Sequence, residues 1–118
     1  MTLADALLPE FDQEMKTTRK YLERFPADQA DYKPHEKSMT MSRLASHVAE
    51  MPTWATATFA ADEMDLNPIG GSPHKTPEHR TSAELLVSFD RNVAGARSSI
   101  GSAADADHAR GWSFKNAG

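Results

Sequence analysis

The side chains best suited to chemistry in this 118-residue chain are its histidines, at positions 35, 47, 74, 79 and 108, since there is no cysteine. An imidazole can ligate a divalent metal or move a proton near neutral pH. His47 stands apart from the others. It lies within Ser38-Met39-Thr40-Met41-Ser42-Arg43-Leu44-Ala45-Ser46-His47-Val48-Ala49-Glu50-Met51-Pro52, a helix start followed by an amphipathic helix. Thr40 or Ser38 is the candidate N-cap, its hydroxyl accepting from a first-turn N–H. Leu44, Val48 and Met51 recur at the three-and-four spacing of one helix face, and His47 falls on that face. Its ring is therefore expected to point to the core or an inner cavity. Two readings follow. One is a core histidine bonded to a carbonyl or hydroxyl. The other is a metal ligand inside a helix bundle, where sites are built from facing helices and one histidine supplies one of three or four ligands.

The remaining histidines carry weaker signals. His35 follows Pro34 in a polar connection and reads as exposed. His74 and His79 are five apart in the proline-broken stretch 67–80, without the i, i+4 spacing of a helical metal pair. His108 sits in a polar tail beside Asp105 and Asp107. The run Gly70-Gly71-Ser72 lacks both the Lys-Ser/Thr ending and the preceding strand of a phosphate loop. Asp62-Glu63-Met64-Asp65 reads as exposed acidic surface.

Three helices are needed to position these residues. The first, from near Leu3 to Arg24, carries Leu8, Phe11, Met15, Thr18, Leu22 and Phe25 on one stripe and is ended by Pro26. Pro9 falls in its first turns, where proline requires a later start or a bent approach. The second carries His47 and runs on through Trp54 and Phe59 to about Asp62. Pro52 interrupts it, so a kink is expected one turn beyond His47. The third begins at Thr81-Ser82-Ala83-Glu84, a capping-box pattern. Leu86, Phe89, Val93, Ala96 and Ile100 form its stripe, Gly95 is its weak point, and Gly101 is a candidate stop. Residues 103–118 read as an irregular tail, and no stretch shows strand periodicity. Three apolar stripes can close on themselves or leave a seam that calls for a fourth helix, from further chain or from a second copy.

Composition narrows the function classes. With 39% hydrophobic and 25% charged residues the chain is an ordinary globular domain, 1–118, and not a disordered segment. A net charge of −4 argues against a general nucleic-acid binder, which needs a basic face for phosphates. The N-terminus has neither a basic region nor a long apolar run, so no signal peptide or membrane span is expected and the cytoplasm is the default location.

The order of motifs resembles the DinB-like superfamily of metal-binding, up-and-down four-helix bundles. The residues that carry the resemblance are Thr17-Thr18-Arg19-Lys20-Tyr21-Leu22-Glu23-Arg24-Phe25-Pro26 and Tyr32-Lys33-Pro34-His35-Glu36-Lys37-Ser38-Met39-Thr40. Leu44-Ala45-Ser46-His47-Val48 and Trp112 in the tail follow in order. The resemblance implies an all-α bundle and a divalent metal, often nickel or zinc, held by three histidines. His47 matches the ligand of the second helix. The other two belong to a His-x-x-x-His pair on a fourth helix, and that motif does not occur in this chain. The chain is thus expected to hold three main helices plus a tail, with an incomplete site. Thiol-dependent transferases using bacillithiol or mycothiol and metal-dependent hydrolases occur among such proteins, so a small-molecule substrate and a low-molecular-weight thiol are implied. The alternative is a non-catalytic helical module that forms a homodimer through its open face.

Overall fold

A computed structural model describes all residues, 1–118. Helix α1 spans Leu3–Glu23. It opens on a reciprocal capping box in which the Thr2 hydroxyl accepts from the Asp5 N–H and the Asp5 carboxylate from the Thr2 N–H. These contacts hold its first turn although Pro9 lies inside the helix. A 3₁₀ turn at Ala27–Gln29 leads into the connection. Helix α2 is Met41–Glu50, capped by Thr40, and α3 is Thr53–Ala60. Helix α4 is Ser82–Ser102, capped by Thr81, and α5 is the single turn Asp105–His108. Gly101 does not stop α4, which continues to Ser102 and ends at Ala103.

The expected kink at Pro52 is a full break between α2 and α3. Proline donates no N–H to Val48, and the ladder resumes with i→i+3 bonds from Trp54 N–H to Met51 and from Ala55 N–H to Pro52. The carbonyls freed at the break find side chains. Asn92 of α4 donates to Ala49 O at 2.9 Å and Thr53 Oγ1 to Glu50 O at 2.7 Å. The break is therefore satisfied and not frayed.

Mainly helical describes the molecule better than all-α. Two three-residue strands, β1 (Glu63–Asp65) and β2 (Ser113–Lys115), pair in parallel with Met64 opposite Phe114. Hydropathy gave no sign of them, because each is too short to show a period. The pairing ties the tail back onto α3, helped by Arg110, which donates to Thr58 O and pairs with Asp62 at 3.1 Å. Asp65 accepts from the backbone of Asn67, Ala117 and Gly118. These bonds, that from Asn67 first, hold its carboxyl below the usual range.

Helix α4 is the keel. Helices α1, α2 and α3 each pack against it, while α1 and α2 scarcely touch one another. The core is small: Leu22, Phe25, Ala30, Ala49, Leu85 and Phe89. Two bidentate ion pairs flank it, Arg19 with Asp90 and Arg97 with Asp12, all four nearest N–O distances being 2.9–3.1 Å. The Arg19 guanidinium holds the Asp90 carboxyl below its ordinary range. The radius of gyration is 16.0 Å, against about 13.5 Å for a compact chain of this length. No helix is long and apolar enough to cross a membrane.

Candidate functional site: an open groove and a strap over α2

Because α1 and α2 both lean on α4 and scarcely touch each other, a groove runs between them. Phe11, Met15 and Thr18 of α1 form one wall at one end, facing Val48, Met51, Pro52 and Ala55, with Phe89 of α4 in the floor. Towards the other end the walls are Tyr21, Leu22 and Phe25 against Met41, Leu44, Ala45 and Val48. The two cavities measure about 360 and about 410 Å³ and share Val48. Large apolar side chains stand open along the rim: Tyr21 is 70% exposed, Leu44 54% and Met51 49%.

This corrects the reading of the second helix. Leu44 and Met51 face the open groove and not the core. The buried face of α2 is instead Ser42, Ser46, Ala49 and Glu50. Its cover is a strap, the extended stretch 74–80, which lies along the helix and bonds to it at successive turns. Ser42 Oγ donates to Glu78 Oε2 at 3.3 Å, and Ser46 Oγ accepts from the His79 N–H at 2.8 Å. One turn further, Glu50 pairs with His74 Nε2 at 2.7 Å and accepts from the Thr76 hydroxyl. Arg43 reaches over the strap to Thr76 O and pairs with Glu78 at 3.6 Å. Extended chain without a sheet partner needs its polar groups satisfied locally, and this row of hydroxyls and a carboxylate does that.

The Glu50–His74 pair is the functional arrangement that residue spacing missed. The buried carboxylate fixes the imidazole by one nitrogen, and His74 keeps about a third of its side-chain surface open. Trp54 meets its ring edge-on at 6.5 Å and stacks at 5.4 Å on Phe114 of β2. No cavity opens beside this pair, so a locking role for the strap accounts for it. The signal that could have revealed it is the spacing of Ser42, Ser46 and Glu50 by four.

His47 is half-buried on α2, and its ring enters no hydrogen bond or ion pair. It lies roughly 40° round the helix from Met51 and roughly 60° from Glu50 at about 100° per residue, on the rim between groove and strap. The structure does not bring the other histidines to it as a ligand set. His35 is exposed and accepts from the Lys37 N–H through Nδ1. His108 packs edge-on against Phe59 of α3 at 5.0 Å, with Nε2 buried and unpartnered. No three His, Asp or Glu side chains come together in a geometry that could hold a metal ion. The residues present therefore do not make a three-histidine site by themselves. No family model, no curated protein and no solved structure matches this chain.

Proposed function

We propose that the chain is a helical interaction module of DinB-like type, whose groove between α1 and α2–α3 accepts the apolar face of a further helix. One observation carries this reading: α1 and α2 each pack closely on α4 and scarcely on each other. In an antiparallel four-helix bundle every helix has two neighbours, so a trough between two helices that share one partner is where a fourth belongs. The walls suit such an occupant, since Met15, Met41 and Met51 supply thioethers that reshape around different apolar faces.

The test is calorimetric titration with a helix-forming Leu/Lys amphipathic peptide. Val48→Glu places a charge where the two cavities meet. We expect it to weaken peptide binding by about tenfold or more while helical circular dichroism is kept. Equal affinity in both proteins would remove the groove reading.

A metal-dependent role is the second reading, favoured by the half-buried ring of His47 with no hydrogen-bond partner at the groove's rim. Here His47 is one ligand of a nickel or zinc site, and the missing ligands arrive with whatever closes the groove. Metal per chain, measured by mass spectrometry after dialysis against nickel or zinc, decides it. Retained metal that disappears in His47→Ala supports the role, and one metal per two chains makes the site shared between copies. No retained metal, or metal indifferent to His47→Ala, overturns it.

A further inference from the structure

The two walls of the groove are each complementary to themselves, and at one level. Along the open edge of α1, Glu10, Glu14, Thr17 and Tyr21 follow at steps of three and four, with Lys20 beside them and Arg24 at the C-cap continuing the spacing. The acids precede Thr17 and the bases follow it. Turned end for end about Thr17, this edge meets its own opposite: Glu10 faces Arg24 and Glu14 faces Lys20 of a second α1. None of these four charges has an ion-pair partner within the chain, whereas Asp12, Arg19 and Glu23 on the other side of α1 are all paired. On the opposite wall, exposed Leu44 and Met51 exchange places under the same reversal, about the peptide between His47 and Val48. Thr18 and Val48 line one cavity, so the two centres of reversal both fall at that cavity, on its opposite walls. A single two-fold axis can therefore be drawn through both, which is what an isologous interface requires.

The surface area points the same way. The chain exposes 7692 Å². A compact monomer of 13.0 kDa is expected to expose roughly 6,300 Å². The excess of about 1,400 Å² is more than the roughly 800 Å² that each partner contributes to a standard interface. A second copy can therefore close the groove and leave each chain with ordinary exposure.

We propose that the occupant is a second copy of this chain, docked groove to groove, with α1 antiparallel to the partner's α1 and α2 antiparallel to its α2. The wall residues of both copies then form one shared apolar core, rimmed by the four reciprocal charge pairs. This rests on the groove reading and names its partner.

Sedimentation equilibrium across a wide concentration range is the experiment. The natural chain is expected to dimerise. Glu10→Arg and Arg24→Glu alone should each weaken the dimer by about tenfold, because each turns two symmetry-related attractions into repulsions. Combined in one chain they should restore it. These positions are exposed, so folding is kept, which circular dichroism checks. With no native cysteine, a short bismaleimide should join Thr17→Cys chains into dimers and leave Lys16→Cys chains unjoined. A monomer at all concentrations, or a double swap that fails to restore pairing, overturns the proposal. A monomer whose groove still takes the amphipathic peptide, and loses it in Val48→Glu, ends the second-copy proposal alone. A monomer that takes neither ends the groove reading with it.

Discussion

Glu50 is the one buried ionisable side chain of the molecule, and its two oxygens go to His74 and Thr76, both on the strap. Removing the carboxylate leaves an imidazole and a hydroxyl facing an emptied space. Glu50→Ala should therefore cost about 1–3 kcal/mol of stability, the range for stranding buried polar partners. Glu50→Gln keeps the shape and two hydrogen-bonding atoms and should lose less. Urea unfolding measures both, and hydrogen exchange at the amides of 74–79 reports whether the strap loosens first. Equal stability in Glu50→Ala would mean that Ser42, Arg43 and Ser46 suffice to hold the strap. The sequence made His47 prominent because it sits among Leu44, Val48 and Met51, whose spacing is easy to read. The row that is buried, Ser42, Ser46 and Glu50, is polar and casts no hydropathic signal. Its burial depends on a strap more than 20 residues further on, which local patterning cannot place.

At the scale of elements, what was legible is what local chemistry decides. The beginning of α4 at Thr81 and the extent of α1 follow from a capping hydroxyl, a proline after the last turn and stripes of period near 3.6. Pro52 announced an interruption, and Asn92 and Thr53 turned a kink into a clean break by satisfying Ala49 O and Glu50 O. The β1–β2 pairing was illegible, because six residues some 50 positions apart define it. Gly95 gives an element-scale prediction. It lies inside α4, and a methyl group there would meet only Thr56 Oγ1 at 3.6 Å, an ordinary contact. Gly95→Ala should raise stability by about 0.5–1 kcal/mol through backbone entropy alone, read as a higher thermal midpoint. A lower midpoint would show that α3 and α4 have no room to spare.

For the whole molecule, three stripes without a fourth were visible in the sequence, and the open groove is their consequence in space. Which faces stay open was not visible, because that depends on α4 taking the central place. The same arrangement orders assembly in time. The Ala49–Asn92 contact spans 43 residues, whereas the ion pairs that seat α1 on α4 span 71 and 85. Closing longer loops costs more entropy before any contact rewards it. Helix α1, which leaves the ribosome before α4, is therefore expected to dock on it after α2 has done so. Until α4 has emerged, Phe11, Met15 and Leu22 lack the helix that seats them, and that interval is when the nascent chain most needs a chaperone.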